Sequence, residues 1–164
     1  VFVDTVVDVE RTSIQDQYYK GMRQCLSDLN SNSIDMERMA ARLEALIESN
    51  QNDWTKMTRI IRERLSSTLA EAKTKAEAIS LAHGVFETLN YLVKAKAKTH
   101  FYHAKNFGYG YTAYVLGERV LVVQVFEACE QCREHAGQVE LDGFSVHTLP
   151  PFHYNCECEV RIKS

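Results

Sequence analysis

The stretch "GERVLVVQVF", Gly117–Phe126, divides this 164-residue chain into two kinds of sequence. Arg119–Phe126 is β-branched and continuous, the pattern of a buried strand. Gly117 stands where a periodic apolar pattern ends, so it reads as the C′ residue of a helix. Downstream, "GQVELDGFSVHTL" (137–149) carries Asp142-Gly143 between two β-prone runs, a hairpin signal, and "ECEVRIK" (157–163) alternates as a closing strand. Upstream, glycine is scarce and proline absent, because both prolines of the chain lie at 150 and 151. That favours long helices with short connections. The expected fold class is α+β: a long-helix body over 1–117, then a small antiparallel β module over 118–164, clamped by clustered cysteines.

Within the helical part, Thr12 and Gln15 have the spacing of a capping box. Ile14, Tyr18, Met22, Cys25 and Leu29 follow at steps of three and four. "NSNS" (30–33) breaks that helix, and a short second one carries Met36, Met39, Leu43 and Leu46. "SNQND" (49–53) reads as another break, with Asp53 as N-cap. From Trp54 to Val93 an apolar stripe runs through Ile61, Leu65, Leu69, Ile79 and Phe86, as one long helix or two stacked ones. His83 and Asn90 interrupt the stripe and are expected to be satisfied core polar residues. Gly84 marks a kink or a close helix crossing. The pattern resumes through Phe101, Ala104, Phe107, Tyr111 and Val115, although Gly108 and Gly110 weaken it and could open a loop. Helices this long have little sequence left to cover them. The 36–93 seam is therefore expected to be buried within the chain or against a partner helix, including that of a second copy.

The net charge of −3 argues against a general nucleic-acid sponge. No apolar run approaches the roughly 18 residues of a membrane span, and Asp4, Asp8, Glu10 and Arg11 break an opening that does not read as a signal peptide. One window departs from the average. Thr88–Gly117 has no acidic residue and carries Lys94, Lys96, Lys98 and Lys105 among His100, His103 and seven aromatics. Such interleaving suits phosphates or an acidic partner; the alternative is a solvated face over an aromatic core.

Of five cysteines, Cys25 stands alone in a helical seam and reads as a small buried hydrophobe. Cys129 and Cys132 form a C-x2-C pair, able to converge on one metal from a tight turn. If their segment is extended, Cys156 and Cys158 leave the same face, and His153 lies three residues before Cys156. Five candidates, Cys129, Cys132, His153, Cys156 and Cys158, thus compete for four tetrahedral positions. A β module of about 45 residues has too little core to hold itself, and structural zinc would fasten its ends. Disulfide pairing and unligated thiols are the alternatives, because C-x2-C-x23-C-x-C is not a standard zinc ribbon. The zinc-deaminase signature is absent, Arg133 stands where a haem-attachment motif has histidine, and no βαβ context supports a thioredoxin-like pair. Pairing of Cys156 with His153, or His135 with Glu134, offers a weaker catalytic reading as a metal-dependent hydrolase. His135 and His147 otherwise read as surface histidines.

"ACEQCREHAGQVEL" followed by "LPPFHYNCECEV" resembles the C-terminal signature of the phage Mu F-like minor head proteins, or head morphogenesis proteins. The matching positions are Cys129, Cys132, Gly137, Val139, Pro150, Pro151, His153, Asn155, Cys156 and Cys158. Tyr154 and Glu157 stand where the family usually has proline and arginine. Upstream, "KTHFYHAKNFG" keeps the family's Thr99, Ala104, Asn106 and Gly108, with Lys98 and His100 in place of its Arg and Glu. The resemblance covers about 98–162. It implies a virion component in few copies, at the portal vertex or inside the capsid, made in the host cytoplasm. Its implied partners are the portal protein, the major capsid protein and packaged DNA, its role is head assembly or DNA handling, and it implies no catalytic residue. The competing expectation is a nucleic-acid-binding module built on 94–111.

Overall fold

A computed structural model describes residues 2–125, 130–141 and 149–163, with side chains from Glu10 onward. Three helices come first, α1 (Phe2–Asp28), α2 (Met36–Ala70) and α3 (Lys75–Val115). Strands β1 (Val120–Gln124), β2 (Gly137–Glu140) and β3 (Glu159–Ile162) follow, with a 3-10 turn over Glu130–His135 between the first two. The α+β expectation holds, as does the change of element type at Gly117.

Helix ends follow local chemistry. Asp35 caps α2 by accepting from the Arg38 amide at 3.0 Å, and Thr74 caps α3 by accepting from the Glu77 amide at 3.1 Å. α1 and α3 both end in a Schellman arrangement. Asn30 (φ 50°) and Gly117 (φ 97°) take the left-handed C′ position, and the Ser31 and Glu118 amides donate back to Leu26 and Ala113.

Four expectations are corrected here. Thr12 lies inside α1, which begins at Phe2, so it caps nothing. "SNQND" does not break the chain: α2 runs through it, with Asn50 and Trp54 buried, because tertiary packing overrides weak local preference. Gly108 and Gly110 open no loop and lie within α3, buried. The close crossing falls at other glycines than Gly84. A Cβ on Gly21 would lie 1.9 Å from the Lys105 carbonyl oxygen, and one on Gly108 would lie 2.1 Å from that of Tyr18. Glycine at both positions lets α1 and α3 approach backbone to backbone. At Gly84 an added Cβ would meet nothing within 4 Å.

β1 is the central strand of an antiparallel sheet of order β2-β1-β3. Val123 pairs with Gly137 on one side and with Val160 on the other. Alternation buries Leu121 and Val123 while Val120 and Val122 stay part-covered. The Asp142-Gly143 hairpin signal falls outside the described residues.

The core has two centres. One packs Ile14, Tyr18 and Met22 of α1 against Met39, Leu43, Leu46 and Ile47 of α2 and Ala104, Phe107 and Tyr111 of α3. The other joins Leu121, Val123 and Val160 to Cys132, Cys156 and Cys158, and it also includes Cys25, Tyr109 and Ala113 from the helices. The β module therefore completes its core with helical side chains. The Tyr109 hydroxyl strengthens the joint, donating to Asp28 at 2.7 Å and accepting from the Ile162 amide at 3.0 Å. Beyond this base, residues 55–88 form the far ends of α2 and α3, and none of them is buried.

Candidate metal centre

Cys132, His153 and Cys156 converge, and one donor atom from each lies within 4.8 Å of the others. The 3-10 turn presents Cys132, and the turn that follows the proline pair presents His153 and Cys156. Cys132 Sγ lies 3.2 Å from His153 Nε2 and 3.4 Å from Cys156 Sγ. That sulfur separation is far beyond the roughly 2.05 Å of a disulfide. Both cysteines are fully buried and His153 is half-buried.

The histidine is oriented for ligation. Its Nδ1 lies 2.7 Å from the Tyr154 carbonyl oxygen, which can only accept, so Nδ1 carries the proton and Nε2 faces the sulfurs with its lone pair. This is the outer hydrogen bond that metal-bound imidazoles commonly make. The His135 ring stacks on Phe152 at 4.1 Å, closing the 3-10 turn over the tail. His135 is therefore a packing residue, outside the converging group.

Helix α3 holds the tail in place. Asn106, buried at 2% exposure, donates to the Pro150 carbonyl at 3.0 Å and to the Cys158 carbonyl at 2.8 Å, and it accepts from the Val160 amide at 3.2 Å. One side chain thus satisfies three buried backbone groups on both sides of the ligand turn. The Thr99 hydroxyl accepts from the Asn155 amide at 3.2 Å, at the residue where φ is 61°. Around the rim Lys98 pairs with Glu157, and Lys105 with Glu159. The Lys98 hydrogen bond holds the Glu157 carboxyl below its usual range.

Two soft thiolates and an imidazole form a donor set suited to a metal ion. Cys158 is buried in the adjoining core but is not one of the three that converge. Cys129 lies outside the described residues. The weaker catalytic expectation paired Cys156 with His153; Cys156, like Cys132, is at 0% exposure. Cys25 is equally inaccessible. Burial, then the charges of Asp28 and Glu118, push its thiol up to about 12, as expected of a small hydrophobe.

The basic window does not form one surface. Lys96 is buried, reaches Asp53 at 2.9 Å and lies under the Tyr154 ring. Lys98 and Lys105 are engaged as above, and Lys94 is exposed apart from them. His100 belongs to a buried junction of all three helices. Its Nδ1 lies 2.7 Å from Glu10 Oε1, Trp54 Nε1 donates to the same carboxylate, and Asp53 stands 3.7 Å from Nε2. Nothing in the spacing of Glu10, Asp53, Lys96 and His100 announced this cluster, because its members come from three different helices. His83 and Asn90, expected in the core, are both exposed. No helix among the described residues is long and apolar enough to cross a membrane.

No protein-family model, curated protein or solved structure matches the chain.

Proposed function

We propose that this chain is a minor head, or head morphogenesis, protein of the phage Mu F-like kind: a structural and interaction component rather than an enzyme. In this reading a zinc ion held by Cys132, His153 and Cys156 fastens the tail and the 3-10 turn onto helix α3. Zinc suits the donor chemistry, since two thiolates and an imidazole are soft and borderline ligands. The role is structural because the sulfurs are buried and the surrounding groups are engaged in holding backbone.

One observation carries the reading. Among the described residues, positions of the two halves of the family signature meet in three dimensions. Asn106 grips the backbone on either side of the ligand turn, Thr99 grips Asn155, Gly108 admits α1, and Cys132 meets His153 and Cys156. A motif split between residues 98–108 and 129–160 whose described members close on one another reads as one unit of architecture. The location that follows is the virion, at the portal vertex or inside the capsid, with the portal or major capsid protein as partner. The nucleic-acid reading of Lys94, Lys96, Lys98 and Lys105 is weaker, because three of the four are held by carboxylates of the same chain.

Elemental analysis with thiol titration tests the fastening. One zinc per chain is expected, with the cysteines around it slow to react until a chelator is added; metal-free protein with freely reacting thiols overturns it. Quantitative mass spectrometry of purified particles tests the location. A few copies per virion are expected, and absence from particles while the protein accumulates in infected cells removes the head-protein reading.

A further inference from the structure

Cys132 and Cys156 do more than face a common point. Their sulfurs lie 3.4 Å apart, where a disulfide needs about 2.05 Å. Closing that bond asks for a movement of about 1.4 Å. Both residues stand outside the long helices and the strands: Cys132 on the 3-10 turn Glu130–His135, and Cys156 ahead of β3, which begins at Glu159. Asn106 holds the tail at the Pro150 and Cys158 carbonyls, so the stretch that carries Cys156 is pinned on both sides and can shift locally between the pins. Cys25, Cys132, Cys156 and Cys158 form no disulfide in this structure. A bond between Cys132 and Cys156 would join the 3-10 turn to the tail, the same two segments that zinc is read above to fasten.

One joint can thus be made in two chemical forms that exclude each other, because a metal ion needs both sulfurs as thiolates. We infer that Cys132 and Cys156 form a redox-exchangeable clasp: ligands of zinc under reducing conditions, a disulfide once a hydroperoxide acts as oxidant. The inference rests on the zinc reading above and adds a second state to it. In the exchange the thiolate of one cysteine attacks the hydroperoxide. An S–O bond forms, the O–O bond breaks, and the leaving oxygen takes a proton from solvent. The second thiolate then attacks the sulfenic sulfur, so that S–S forms, S–O breaks and hydroxide leaves as water. Two electrons pass from the sulfurs to the peroxide, and His153 alone of the three donors is left for the metal. Burial decides the product. Both sulfurs are at 0% exposure, so a neighbour 3.4 Å away intercepts the sulfenic acid before a second peroxide or a bulky thiol arrives. The same burial makes the first step slow. A chain folded in a reducing cytoplasm and later carried outside the cell meets the two conditions in that order.

The test uses the full chain, purified with reductant and zinc, and begins with elemental analysis. Protein without zinc at this stage removes the zinc reading, and the exchange falls with it. Zinc-loaded protein is then freed of reductant and held with hydrogen peroxide. Released metal is followed with a chromogenic chelator, thiols by titration, and sulfur linkage by tandem mass spectrometry without reduction. One zinc should leave as two thiols disappear, with Cys132 bonded to Cys156, and dithiothreitol with added zinc should restore the starting state. The oxidised protein should keep its far-ultraviolet spectrum and melt above the chelated, reduced protein, because the joint is still closed. Cys158→Ala should preserve the linkage and Cys156→Ala should abolish it. Should Cys156→Ala fail to fold, the linkage in the parent chain decides. Zinc retained with its thiols intact after prolonged oxidation overturns the exchange while leaving the zinc reading in place. So do zinc release with sulfinic acids in place of a disulfide, a bridge to Cys25, Cys129 or Cys158 instead, and an oxidised protein that melts no higher than the chelated one.

Discussion

The base of the molecule and the arm beyond it, residues 55–88, are made from the same helices with the same apolar periodicity, yet they behave oppositely. In the base, α1, α2 and α3 enclose Tyr18, Met39 and Phe107, and several buried polar groups there meet partners from another helix: Tyr18 donates to the Met39 carbonyl at 3.0 Å, and Glu10 serves both Trp54 and His100. In the arm only two helices face each other. A pair of helices can cover one stripe on each, so Ile79 and Phe86 remain outside. Periodicity therefore reports that a face is apolar. What covers that face depends on how many elements reach it.

The two regions should separate under mutation. The largest effect is expected at the fastening of the base. Cys132→Ala or Cys156→Ala should destabilise the protein on the order of 4 kcal/mol, the scale of a lost structural metal, and chelation should reproduce the shift in wild type. Differential scanning calorimetry with and without chelator would decide it, and an unmoved transition would leave the base no more fastened than the arm. Next comes the helix crossing. Gly108→Ala forces a methyl into the Tyr18 carbonyl and should cost about 3 kcal/mol. Asn106→Leu leaves the Pro150 and Cys158 carbonyls and the Val160 amide unpaired. It should cost about 2–3 kcal/mol and, by loosening the tail that carries His153 and Cys156, lower metal affinity, read by competition with a chromogenic chelator.

The same alanine substitution in the arm should act with opposite sign. Gly84→Ala should stabilise by about 0.5–1 kcal/mol, so chemical denaturation of the Gly84 and Gly108 variants places the boundary between the regions directly. The smallest effect concerns acid. Burial raises the Asp53 carboxyl, but the hydrogen bond and charge of Lys96, with His100, outweigh it and hold the group below its ordinary value. A carboxyl depressed in the folded state contributes stability above its unfolded value, near about 4. That contribution is lost as pH falls through the lower, folded value. Lys96→Met should therefore flatten the decline of stability below about pH 4, by less than about 1 kcal/mol because Asp53 is half-exposed.

Much of the base was legible in residue order. Ile14, Tyr18, Met22 and Cys25 are buried as their spacing predicts, Gly117 closes α3, and β1 and β3 lie where β-branched runs stand. Three of the five ligand candidates meet. "SNQND" misled because polar residues at a three-helix junction look like a break: Asn50 faces inward, and Asp53 pairs with Lys96 across to α3. The basic window misled for a related reason. The absence of acids from 88–117 says nothing of Glu157 and Glu159, which arrive from more than fifty residues away.

Residue order by itself determined the element types, the point where helix gives way to strand and the chemistry of the sulfur-rich tail, because periodicity, capping and donor type are local properties. Only the tertiary structure decided which glycines are crossings and which stands in open space, which lysines are neutralised and which apolar faces are covered. Those outcomes depend on the approach of segments distant in sequence, where an ångström of separation or a single opposing carboxylate determines whether a side chain is packed, paired or left facing water.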